Sequence, residues 1–199
     1  MQRDYSSNEL LGLVYDELKV VAERYFRRQA PGFTMSPTEM VHETYLHLIQ
    51  HEHADWTSTG HFRAIAIRKM WQVVVDHLKR RHAQKRNGRA LPHGSPESEQ
   101  GHDGSAPKVG RFKRTPLDSV LVEWHDRDVE LLDLADALAH LGQESRRLRD
   151  VVTLHWFGGM THAEVAQDLG VSASTAEKDF RYAIAWLNRR LQGSGNSED

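Results

Sequence analysis

Nine lysines and arginines fall between residues 63 and 89 (Arg63, Arg68, Lys69, Lys79, Arg80, Arg81, Lys85, Arg86 and Arg89), against a single acid, Asp76. So many cationic side chains in one stretch are the electrostatic footprint expected for contact with phosphates. Phe62, Ile65, Met70, Trp71 and Val73 are interleaved with them. The stretch therefore reads as a helix with one apolar and one basic face, not as a solvated run of charge. Residues 117–136 reverse the balance, with seven Asp/Glu against one Arg, so the net charge of −2 conceals two strongly charged segments.

A second chemistry to weigh is metal binding, since the chain has 13 histidines. His42-Glu43 with His47 approaches a zinc-protease signature but fails on spacing. That motif needs histidines at i and i+4, whereas five positions put these about 140° apart around a helix. His47 and His51 do have the i, i+4 spacing, with His53 beyond, but no carboxylate is placed as a base. The expectation is no metal, no cofactor and no catalytic residue.

The third constellation lies in residues 161–190. Thr161 with Glu164 fits a capping box, in which each residue satisfies the other's backbone N–H at a helix start. Gly170 ends that helix, because only a residue without Cβ takes the left-handed conformation readily. Ser172 then caps a second helix, whose Phe180, Ile184, Leu187 and Leu191 share one face. Small Ala166 and Ala176 sit where the two helices must cross closely. The pattern is a helix-turn-helix, whose second helix can enter a DNA major groove.

The elements that position these groups are helical throughout, with no strand and no repeat. Ser6 with Glu9 opens a first helix, with Leu11, Val14, Leu18, Val21 and Tyr25 as its buried stripe, ending before Pro31-Gly32. Ser36-Pro37-Thr38-Glu39 opens a second, with Val41, Tyr45, Leu48 and Ile49 as its apolar face. A polar loop at 51–60 precedes a third helix, which starts at about His61 and dissolves into KRRHAQKRNGR. Further helices carry Leu131, Leu134, Leu138 and Leu141, then Leu148, Val151, Val152 and Leu154, and stop at Gly158-Gly159. The fold class expected is all-α, with two small helical domains joined by a flexible linker. The first spans 1–89, the linker 90–124, the helix-turn-helix domain 125–193 and a disordered tail 194–199.

With no cysteine, disulfides and thiolate metal sites are excluded, which suits a cytoplasmic location. No apolar run approaches the roughly 20 residues of a membrane span, and the N-terminal residues lack the pattern of a secretory signal.

Taken in order, three segments resemble those of bacterial sigma factors of the extracytoplasmic-function (ECF) branch, over about residues 8–192. VHETYLHL at 41–48 resembles the segment that docks on the polymerase clamp helices. FRAIAIRKMWQVVVDHLKRR at 62–81 resembles the segment that opens and reads the minus-ten element. FGGMTHAEVAQDLGVSASTAEKDFRYAIAWL at 157–187 resembles the minus-thirty-five reader. PT-x-x-VHE-x-YL with a DHxxRR ending places the resemblance in one subgroup.

The resemblance implies a protein that is no enzyme, lending core RNA polymerase (clamp helices and flap) its promoter specificity and helping to melt the DNA. Polymerase contacts would fall on Thr38, Glu39, Val41, His42, Glu43 and Leu46. Minus-ten contacts would fall on Trp56, Arg68, Lys69, Trp71, Gln72, Lys79, Arg80 and Arg81. There, bases stack on aromatic rings beside a basic groove, Gln72 pairs with a base edge and the cations meet phosphates. Minus-thirty-five contacts would fall on Ser172, Ser174, Thr175, Glu177, Lys178 and Arg181, with Ser172 and Thr175 equally explained as caps.

Two departures from the family's pattern stand out. Glu177 replaces a usual base; it repels phosphate but can accept from cytosine N4. Ser36-Pro37-Thr38-Glu39 replaces a usual Asp-Ala-Glu-Asp run, so phosphorylation of Thr38 or Ser36 by a serine/threonine kinase would restore the missing charge, in place of an anti-sigma factor. The competing reading is a stand-alone helix-turn-helix regulator. Such proteins bind palindromes as dimers, and neither a dimerisation helix nor a use for the basic first domain is visible.

Overall fold

The computed structural model describes residues 7–26, 35–49, 58–86 and 131–194. The readings made for Ser6, for the loop holding Trp56, for the 90–124 linker and for the extreme C-terminus lie outside the described residues. Helix α1 spans Ser7–Phe26, α2 Pro37–Ile49 and α3 Thr59–Arg86. They form a three-helix unit in which α1 and α2 pack on each other and both pack on α3. Val14, Leu18, Val21 and Tyr25 are buried as the stripe on α1 requires, against Met40 and Leu48 of α2 and Phe62, Ile67 and Met70 of α3.

Each start has a local cause. The Ser36 hydroxyl accepts from Glu39 N–H (3.2 Å) and the Glu39 carboxylate accepts from Ser36 N–H (2.6 Å), closing the expected capping box. Helix α3 differs from the sequence reading at both ends. It begins two residues earlier than His61 because Ser58 caps it, accepting from His61 N–H at 3.1 Å. It continues through Arg86 because Ala83, Gln84, Lys85 and Arg86 are all good helix formers, and the first breaker is Asn87-Gly88.

In the second half, α4 spans Leu131–Glu144 and α5 Arg146–Val152, the latter capped by Ser145 and running into a π-helical turn, Thr153–Phe157. Helix α6 spans His162–Leu169 and α7 Ala173–Ser194. The expected Thr161–Glu164 capping box is present, and Gly170 adopts φ 66°, ψ 33°. Ser172 accepts from Thr175 N–H at 3.1 Å. Ala166 and Ala176 are both buried at the crossing of α6 and α7. Leu134, Leu138 and Leu141 of α4 complete this core with Val151, Leu154 and Leu187.

The two halves also pack directly on each other, which the sequence reading did not contain. The π-helical turn lies on α3, where Trp71 meets Trp156 and Phe157 edge-on at ring distances of 5.8 and 5.2 Å. Gly158 permits the approach: a Cβ there would lie 2.7 Å from the Ile67 side chain and 2.6 Å from Leu154 O. Arg24 of α1 donates to the carbonyls of Phe157 (2.6 Å) and Trp156 (3.3 Å), satisfying the end of the turn.

His155 is 4% exposed and stacks on His162 at 4.0 Å, with Phe180 edge-on at 4.6 Å. Its Nδ1 donates to Met160 O at 2.6 Å. Burial drives its pKa down to about 4; the Met160 bond opposes this, and His162 and Arg24 push it further down. A folded pKa below the unfolded value near 6.5 means that the unfolded chain takes up the extra proton. Stability should therefore fall as pH drops from about 6.5 toward 4, by up to about 3 kcal/mol from this residue. Urea melts across that window should show a shallower slope in His155→Phe than in the chain itself, the remainder coming from His77 and His162, whose pKa values burial also lowers.

Candidate nucleic-acid interface

Local hydrogen bonding fixes the outer surface of the helix-turn-helix. Ala183 and Leu187 turn into the core, leaving Ser172, Ser174, Glu177, Lys178 and Arg181 exposed at the N-terminal half of α7. Thr175 is half-buried, and its hydroxyl lies 2.8 Å from that of Ser172, so both are tied into the cap. Glu177 pairs with Arg181 one turn on, Oε1 to Nη2 at 2.5 Å. Asp179 points the other way, to Arg147 of α5 at 2.8 Å, with its side chain only 15% exposed. Glu177, the acid that departs from the family's basic pattern, thus holds the neighbouring cation, and Asp179 close by is turned inward. Glu177→Gln should release Arg181 and tighten binding of double-stranded DNA by about threefold at low salt, read by fluorescence anisotropy.

The basic helix α3 divides into two regions. At its C-terminal end Lys79 and Arg80 are exposed and Arg81 is half-buried. Lys79 lies 3.8 Å from Asp136, and Arg80 lies 3.4 Å from Glu43 of α2, both loose surface pairs. Gln72 is exposed, and Lys69 reaches it at 3.5 Å. In the N-terminal half, the candidates face the second half of the molecule. Arg68 is held by Asp150 at 3.2 Å and by a short contact to Asp168. Trp71, assigned a stacking role, is 8% exposed under Trp156 and Phe157, and Phe62 is core.

On α2, Thr38, Glu39, His42 and Leu46 are exposed and Glu43 half-buried, forming one continuous outer surface. Val41, grouped with them in the sequence reading, is corrected by the structure: it is 1% exposed and supports that surface from beneath, since it shares the inward face with Met40, Thr44 and Leu48. Among the described residues no three His, Asp or Glu side chains converge as a metal site would require.

The partners of α3's inner cations were not found from the sequence. Arg63 pairs with Glu17 (2.9 Å) and Glu164 (3.0 Å), and His61 Nδ1 lies 3.3 Å from Asp168. Burial works to raise the Glu164 carboxyl pKa, but hydrogen bonds from the Thr161 N–H and hydroxyl, with the Arg63 charge, hold it below the usual value. Asp150, Glu164 and Asp168 lie 82 to 107 residues from their partners, beyond the reach of any local pattern.

An all-helical protein with a basic three-helix half and a helix-turn-helix half is what this geometry defines. The sequence pattern of the ECF sigma factor family matches residues 3–193, and the chain belongs to that family. It is similar to the ECF RNA polymerase sigma factor SigL of Mycobacterium tuberculosis, from strains H37Rv, CDC 1551 and Erdman. The identity is 28% over 188 residues, covering 94% of this chain and 91% of the relative. Its role is accordingly that of a sigma factor in transcription initiation. No helix among the described residues is long and apolar enough to cross a membrane.

Proposed function

We propose that the chain binds core RNA polymerase in the cytoplasm through the outer face of α2, places α3 against the minus-ten element to melt it, and reads the minus-thirty-five element with α7. The observation that carries this reading is the division of surface on α7 and α2. Each helix buries one apolar face and leaves uncovered the polar residues that the family likeness assigns to DNA and to the clamp. Phosphates are met by Lys69, Lys79, Arg80 and Arg81, which position the duplex, and base edges by Gln72, Ser174 and Lys178. The test is run-off transcription: purified chain mixed with core polymerase should initiate at one site upstream of its own gene, and core alone should not.

Control falls to phosphorylation at the start of α2. Ser36 already spends its hydroxyl on the capping box, whereas Thr38 is exposed at the second position of the helix. An anion there is favoured by the helix N-terminus and supplies charge that Ser36 and Thr38 lack. A serine/threonine kinase acting on Thr38 replaces an anti-sigma factor in this scheme.

A further inference from the structure

Tyr182 is 61% exposed, the one large hydrophobic side chain of the second half, among the described residues, that stands open to solvent; Leu13 and Leu46 lie on α1 and α2. A lone exposed aromatic needs no special cause. Tyr182, however, stands in line with Ser174 and Lys178. The three are spaced four apart on α7, so each is turned only about 40° from the last, across the helix from buried Ala183 and Leu187. The charges beside this row are engaged within the protein. Arg181 is held by Glu177 at 2.5 Å, and Asp179 turns away to Arg147 at 2.8 Å. Ala185, exposed one turn further on, is too small to hold a surface away from the ring.

We infer that Tyr182 is a specificity-determining residue that reads a thymine of the minus-thirty-five element, its ring lying on the C5-methyl group in the major groove. The inference rests on the reading that α7 enters that groove. The thymine methyl is the one apolar group that base edges display there. A tyrosine ring can cover it while the hydroxyl stays in water at the mouth of the groove. Tyr182 lies eight positions beyond Ser174, roughly 12 Å along the helix axis. The thymine therefore falls about three to four base pairs from the pair that Ser174 faces, at about 3.4 Å per pair.

The test uses the whole chain assembled with core polymerase on a duplex that carries the region upstream of its own gene. Each thymine of the minus-thirty-five block is replaced in turn by deoxyuridine, which removes the methyl group and alters no hydrogen bond. One replacement should weaken binding about fourfold, the worth of a buried methyl group. Tyr182→Ser should bind the unmodified duplex at least about fourfold more weakly and be indifferent to that same replacement. Tyr182→Phe should keep both the affinity and the sensitivity. Because Tyr182 is exposed, the thermal transition of both variants should match that of the parent chain.

A wild-type complex indifferent to every methyl group, or a Tyr182→Ser complex that senses one as strongly as wild type, overturns the inference. So does a Tyr182→Phe complex that behaves like Tyr182→Ser, since the hydroxyl and not the ring would then hold the DNA. Scrambling the whole minus-thirty-five block separates the two claims. Binding that falls while no methyl is sensed through Tyr182 overturns this inference alone. Binding that is unchanged overturns the reading of α7 beneath it as well.

Discussion

A Thr38→Ala chain should be silent in cells, and a Thr38→Glu chain should be at least partly active without any kinase. The expectation follows from charge at one helix start. The first turn of α2 carries a single acid, Glu39, and its carboxylate is bound to the Ser36 N–H in the capping box. A clamp surface built for a run of acids thus meets two hydroxyls and a proline. A phosphate on Thr38 adds about −1.5 to −2 charge at neutral pH. It also sits where the helix dipole favours an anion by about 0.3–1 kcal/mol. Charges facing a complementary surface raise association rates as well as affinity. The loss in Thr38→Ala should be at least about tenfold in promoter-specific transcripts, equivalent to at least about 1.4 kcal/mol of docking. Ser36→Ala would also remove an N-cap worth about 1 kcal/mol, so its thermal stability must be compared alongside. Full activity of the Ser36→Ala/Thr38→Ala chain with purified core polymerase would sink the idea.

The parts of the fold that sequence alone revealed are those set by neighbours three or four positions apart. The capping boxes at Ser36 and Thr161, the left-handed Gly170 and the Ser172 cap each need only a short window, and each stands where the spacing placed it. The same holds for the buried stripes of α1 and α4. The C-terminal extension of α3 is not marked in the sequence because no large apolar residue follows Leu78 to show a buried face, although Ala, Gln, Lys and Arg are strong helix formers. Trp71 shows why the candidate site was only partly legible. An aromatic residue among bases is equally consistent with stacking on DNA and with packing on protein. Only Trp156 and Phe157, more than eighty positions away, decide between them in the free chain. Asp150 sits beside Arg149 and near Arg146 and Arg147, where nothing local marks it as the counterion of Arg68.

Replacing Lys79, Arg80 and Arg81 together with Ala should suppress open-complex formation while leaving polymerase association largely intact. These cations lie toward the C-terminal end of α3, beyond the stretch where Arg63 and Arg68 are paired with acids of the second half; Lys79 reaches that half only loosely, 3.8 Å from Asp136. Lys79 and Arg80 are 55% and 61% exposed, and their pairs with Asp136 and Glu43 are loose surface contacts of little worth to stability. Arg81 is half-buried near Tyr25, whose phenol burial holds in its protonated form, so a Lys79→Ala/Arg80→Ala chain serves as a control for any packing loss. Each phosphate contact releases about 0.9 of a counterion, so losing three should flatten the log–log salt dependence of promoter binding by roughly 2.7. Extrapolated to about 0.1 M salt, that is on the order of a hundredfold in affinity, falling nearly uniformly across promoter sequences. Permanganate reactivity of the minus-ten thymines, titrated against salt, reads both quantities. Loss of polymerase association in the triple variant, with the double variant unaffected, would move Arg81 from the DNA surface to the docking surface. Loss in both would show that this whole face of α3 meets the clamp, and the phosphate assignment would fall.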